Sequence, residues 1–122
     1  MSDRDIYPFI REHVRSVWAL ELLLKLKSDP ARVWTVEALV VDLRASAGLV
    51  VSNLEALGRS DLVLADEGGF RYRPAAPILA QLCDDLEAAY RDRPVTVIRW
   101  ISKPAERLQS LADAFKFRGR DE

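Results

Sequence analysis

Very few side chains in this sequence are equipped for covalent chemistry. The chain holds one histidine, His13, and one cysteine, Cys83. His13 stands beside Arg11, Glu12 and Arg15 and reads as a solvated helix residue, since general-base work needs a nucleophile or acid partner that the sequence does not supply. Cys83 falls on the apolar side of its helix, the place of a small buried hydrophobe and not of a redox sensor. It has no second cysteine for a disulfide, and no cysteine or histidine cluster accompanies it to hold zinc. Asp84, Asp85 and Glu87 form a short acidic run without calcium-loop spacing, as expected of the wet face of a helix. No glycine-rich phosphate loop, metal-protease motif or nucleophile elbow occurs. The expectation is a non-enzyme without metal or cofactor.

Arginines offer the other kind of chemistry. Arg44, Arg59, Arg71 and Arg73 fall within one 33–74 stretch, where they can act as a phosphate clamp or simply as solvated surface charge. Glu37, Asp42, Glu55, Asp61, Asp66 and Glu67 share the stretch, so four arginines against six acids leave it at net -2. The whole chain is at -1, so nothing in its overall charge attracts a polyanion or an anionic membrane.

Periodicity indicates which elements must position these residues. At 122 residues with 49% hydrophobic content, the chain is expected to form a single domain, 1–122. The first thirteen residues carry charge throughout and lack the apolar stretch of a secretory leader. The longest apolar run, 17–26, is interrupted by Glu21 and Lys25 and is too short to cross a membrane. A cytoplasmic protein without membrane contact is expected. Residues 1–32 should hold one helix over 8–27, in which the apolar face changes side midway and leaves a Glu21/Lys25 stripe in water. Val33 and Trp34 suit a short strand. Thr35 caps a helix to about Arg44, and Ser46 caps another with Val50, Leu54 and Leu57 inward. Runs 62–65 and 70–73, joined by Asp66, Glu67, Gly68 and Gly69, have hairpin chemistry. Residues 75–122 continue as helices: Ile78, Leu82, Cys83, Leu86 and Tyr90 repeat at helical period up to Pro94. Residues 95–101 suit helix or strand by propensity and are read as a short helix, and Pro104 starts a last helix carrying Leu108, Leu111 and Phe115. The fold class is mainly α with a small β-hairpin.

The segment TVEALVVDLRASAGLVVSNLEALGRSDLVLADEGGFRYRP resembles the winged helix-turn-helix of bacterial regulators such as the MarR, ArsR and PadR groups. Leu39 and Leu43 match the second-helix core positions, Val50 and Leu54 those of the recognition helix, and LGRSDLV the closing stretch. Phe70 and Tyr72 match the second wing strand. Arg44 and Asp61 stand where those families often have glycine. The resemblance implies a winged helix over 33–74 with extra N- and C-terminal helices, a role in transcriptional regulation, and contacts to double-stranded DNA from Arg44, Ser46, Ser52, Asn53, Arg59, Arg71 and Arg73. The outward positions it assigns to the third helix are Ala47, Gly48, Val51, Ser52 and Glu55, with only Asn53 and Arg59 of the types that read bases or phosphates. A wing tip of Asp66 and Glu67 presents the wrong sign to phosphate. The alternative is a winged helix used as a protein-interaction module, with a protein partner and no significant DNA affinity. In the resembling families the terminal helices build a homodimer, which here implies an interface of Ile10, Val14, Val17, Leu108, Leu111 and Phe115; the other arrangement folds both ends back onto the same core.

Overall fold

A computed structural model describes residues 3–110, with side chains described over 5–102. The elements in chain order are α1 (Asp3–His13), α2 (Val17–Lys27), α3 (Val36–Leu43), α4 (Ala47–Arg59), β1 (Val63–Asp66), β2 (Gly69–Tyr72), α5 (Pro77–Asp92) and α6 (Pro94–Ser110). The described part is therefore mainly helical with one two-stranded antiparallel hairpin. Helix α2 packs on α4 and β2, α4 on α3 and β1, while α1, α5 and α6 pack on one another as a second group.

The single N-terminal helix expected over 8–27 is two helices. Ser16 takes an extended conformation (φ -152°, ψ 160°) and its hydroxyl accepts the Ala19 N–H at 3.0 Å, so it ends any continuous helix and caps α2 instead. The mid-helix shift of the apolar face has this cause. Helix α1 buries Ile6, Phe9 and Ile10, with Val14 just beyond it, and α2 buries Ala19, Leu20, Leu22, Leu23 and Leu26, making α2 the centre of the core. The Glu21/Lys25 stripe is not left in water either: Glu21 accepts a 2.9 Å hydrogen bond from the Tyr90 hydroxyl of α5, and Lys25 pairs with Asp42 of α3 at 3.1 Å. Each charge meets a neighbouring element because α2 is covered almost all round.

Thr35 and Ser46 cap α3 and α4 through the Ala38 and Leu49 amides. Both helices end in left-handed backbone. At the end of α3, Arg44 (φ 56°, ψ 43°) lets Ala45 N–H reach back to Val40 O. At the end of α4, Asp61 (φ 63°) does the same for Leu62 N–H to Leu57 O. These reverse hydrogen bonds satisfy carbonyls that a helix end leaves open, and the left-handed residue they need is most often glycine. The two positions where the resembling families often have glycine are the two that demand this geometry.

The hairpin pairs Val63 with Tyr72, Leu64 with Arg71, Ala65 with Phe70 and Asp66 with Gly69. Its turn is tighter than the four-residue connection expected: Glu67 and Gly68, both at positive φ (38° and 84°), form a two-residue turn whose twist matches the strands. Trp34 adds an isolated bridge to Phe70 through reciprocal 2.8 Å hydrogen bonds, so the expected Val33–Trp34 strand is reduced to one residue. Gly69 is required there, because an added Cβ would run into the Trp34 carbonyl and lie 2.7 Å from Val33 Cγ1.

Residues 95–101 are helical, as read, but no new helix starts at Pro104: α6 runs without a break from Pro94 to Ser110. The proline's missing N–H removes one hydrogen bond from a helix long enough to tolerate it. Tyr7 of α1 meets Trp100 of α6 edge-on at 6.2 Å, closing the second group of helices. Among the described residues no helix is long and apolar enough to cross a membrane.

Candidate nucleic-acid interface

The inward positions read from sequence, Val50, Leu54 and Leu57, are buried. At 100° per residue the side opposite them carries Gly48, Ser52, Glu55 and Arg59, and all four are exposed. Ser46 and Ala47 open the helix, also exposed. Val51 is half-buried and so is not part of this outer face.

The seven residues expected to contact DNA do not converge on one surface. Arg44 is exposed at the turn before α4, and Arg59 is exposed in its last turn. The two stand at opposite ends of the outer face, roughly 20 Å apart along the axis at 1.5 Å per residue. Ser52 is exposed between them. Ser46 is exposed too, with its oxygen already accepting the Leu49 amide at 3.2 Å. Asn53 is turned away from the outer face: its Nδ2 donates to Leu49 O at 2.9 Å, and its Oδ1 accepts from Ser16 Oγ at 3.1 Å. It braces the start of α2 and is corrected here from a base reader to a structural residue. Arg71 is half-buried and bound to Asp66 at 2.9 Å, so the pair is neutral and the arginine is not a free phosphate ligand. Arg73 is exposed just beyond β2. Arg44, Arg59 and Arg73 have no carboxylate partner among the described residues.

The residues expected at a dimer interface separate as well. Ile10 and Val14 are 1% and 0% exposed within the single chain. They are core residues, because α1 folds against α5 and α6 of its own chain. Val17 is half-buried and packs on the same core. Leu111 and Phe115 lie outside the described residues, as does the side chain of Leu108.

Behind the hairpin lies a polar joint that sequence reading did not anticipate. Tyr72 of β2 carries a buried hydroxyl beside the Cys83 thiol of α5, and Lys27 of α2 reaches α5 through Glu87 at 2.5 Å and Asp84 at 2.9 Å. Burial above all, with the Cys83 thiol next, drives the Tyr72 hydroxyl far above its ordinary range. Burial also pushes the Cys83 thiol up to about 11, against the opposing pull of Tyr72 and Lys27. For Lys27 burial works to lower the value but is outweighed by Glu87 and Asp84, so it ends above its ordinary value. At neutral pH Tyr72, Cys83 and Lys27 of this joint all keep their protons, and the joint fixes the hairpin to α2 and α5.

Two further positions also escaped the sequence reading. Arg32 lies over the Trp34 ring at 3.5 Å, with Lys25 at 5.4 Å from the same ring, so the bridge residue is covered by cations. Arg15, left outside any helix by the break before α2, lines a cleft together with Arg59, His13 and Asn53. His13 is not a solvated residue as expected: its side chain is 28% exposed and its ring lies tilted against Phe9, 5.4 Å between centroids. Among the described residues, no group of three or more histidine, cysteine and acidic side chains can hold a metal ion. No protein-family model, curated protein or solved structure matches the chain.

Proposed function

We propose that this protein is a winged-helix regulator of transcription that holds double-stranded DNA chiefly by its phosphates, with α4 as the groove helix and the hairpin as the wing. The observation that carries the reading is the order of elements: a helix, a one-residue strand at Trp34, two helices across a tight left-handed turn, then a hairpin whose second strand pairs back to Trp34. In docked helices of this type the groove face needs close approach, and Ala47, Gly48 and Ser52 give a low surface for it. Arg44 and Arg59 at the two ends of that face, with Arg73 beside the wing, are the cations for flanking phosphates. Direct base reading is weak in this scheme, since Asn53 is committed to Ser16.

Fluorescence anisotropy with duplex DNA at 50 to 200 mM salt tests the proposal. Log affinity should fall linearly with log salt, and Arg59→Ala or Arg73→Ala should each flatten that slope by about 1. Absence of duplex binding even at the lowest salt would remove the DNA reading. The second reading, a protein-interaction module, is favoured by Val41 of α3, which is 75% exposed, and by Glu67 at the wing tip.

A further inference from the structure

A cleft of about 320 Å³ opens on the flank of α4 that faces the junction between α1 and α2. Arg15 and Arg59 both line it, the first from the junction and the second from the last turn of α4. Neither has a carboxylate partner among the described residues. The wall between them is prebuilt. Ser16 accepts the Ala19 amide and donates to Asn53, and Asn53 donates to Leu49 O, so three hydrogen bonds hold the floor without any ligand. Ser16 also opens α2, and the positive end of that helix adds to the field in the cleft. Glu12 also lines the cleft and opposes this charge, with a side chain that is 76% exposed and 3.5 Å from His13 Nε2.

Two guanidinium groups on a polar wall are the donor set of an oxyanion, because each presents a fork of N–H groups matched to phosphate oxygens. The volume suits a phosphate with a small organic group attached. We infer that this cleft binds a phosphate oxyanion between Arg15 and Arg59. The phosphate can belong to a free phosphorylated small molecule or to a DNA backbone, and the chemistry recognised is the same. Free phosphate binding stands apart from the DNA reading, since only Arg59 among these residues also lies on the outer face of α4. Where DNA is bound as well, Arg59 serves both sites and links their occupancy.

The experiment is NMR titration of the full chain with inorganic phosphate, with ionic strength held constant by chloride. Saturable shifts are expected in the amides of residues 15–19 and in the Arg15 and Arg59 side-chain N–H signals. Arg15→Gln and Arg59→Gln should each weaken the affinity about tenfold. Glu12→Gln should strengthen it about threefold, a gain that misfolding cannot imitate. A short duplex is the second probe. Shifts of the same signals by duplex, reversed by excess phosphate, identify a backbone phosphodiester as the source. Cleft signals that respond to phosphate alone identify a free ligand, and a chain that binds no duplex leaves that result untouched. Shifts that do not saturate, that chloride reproduces, or that persist unchanged in all three variants overturn the inference.

Discussion

At its base the hairpin rests on Trp34, Gly69 and the Tyr72, Cys83 and Lys27 joint, all buried or half-buried, whereas on the outer edge of the winged unit Arg44, Asp61 and Glu67 hold left-handed backbone and are exposed. Space dictates residue identity at the base. Gly69 is there because no Cβ fits, and Cys83 because a small weakly polar side chain fits beside a buried hydroxyl. On the edge no neighbour demands these residues, and each sits where glycine or asparagine would cost less. The left-handed backbone itself serves the helix ends at Arg44 and Asp61 and the turn at Glu67, so the open question at these positions is the choice of side chain. The comparison thus separates positions where the fold dictates the residue from positions where it does not.

The sharpest break of that comparison is at Gly69. Gly69→Ala places a methyl against the Trp34 backbone carbonyl, which cannot swing aside as a side-chain end would. The Trp34 and Phe70 hydrogen bonds at 2.8 Å must part or lengthen. A loss of about 3 kcal/mol is expected in urea unfolding. A loss below about 0.5 kcal/mol would mean that the base is not tightly specified, and the contrast with the edge would collapse.

A smaller effect separates the two regions by pH. Cys83 at about 11, against an ordinary 9.0, binds its proton more tightly in the folded chain than in the unfolded one. The folded state then holds more protons as pH rises past 9, so stability must fall. Tyr72 and Tyr90 are raised as well, Tyr90 first through its hydrogen bond to Glu21 and then through burial, and they extend the fall to higher pH. Lys27 contributes fully below 10.5 and loses its contribution as pH passes its raised folded value. Between pH 9 and 11 Cys83 alone should remove on the order of 2 kcal/mol. Cys83→Ala should abolish the onset near pH 9 while leaving the later fall. An unchanged onset in that variant would show that the joint does not carry the titration.

Helix periods and caps were legible because they are local. The Thr35 and Ser46 caps and the inward set Val50, Leu54 and Leu57 follow from spacing alone, and the order of two helices and a hairpin between Thr35 and Tyr72 came with them. The break at Ser16 was only half visible. The apolar face of 8–27 changes side, but a serine inside a helical pattern does not announce its own extended backbone. What the sequence hid was pairing between side chains: Asn53 with Ser16 and Tyr90 with Glu21 at long range, and Arg71 with Asp66 across the hairpin. Each turns an apparently outward polar residue into a brace. Candidate DNA contacts were judged by residue type, and type does not say which polar groups already have partners. Arg15 illustrates the reverse case, since it reaches the cleft only because the helix breaks beside it.

The finest distinction is at Arg44, where strain and contact can be weighed in one residue. Its backbone (φ 56°, ψ 43°) is one that glycine adopts freely and arginine does not. Arg44→Gly should therefore raise stability by up to about 1 kcal/mol in urea unfolding, reduced by glycine's greater freedom in the unfolded chain. If the arginine is held there for a partner, the same change must weaken duplex binding and flatten its salt slope, although the fold has improved. Glu67→Asn is the matching control at the wing: it too relieves positive φ, at 38°, but removes a negative charge from the edge, so binding to DNA should rise. Opposite binding responses with the same sign of stability change would assign the strain to function. A stabilised Arg44→Gly variant that binds duplex as well as before would show that this edge tolerates strain without a partner to account for it.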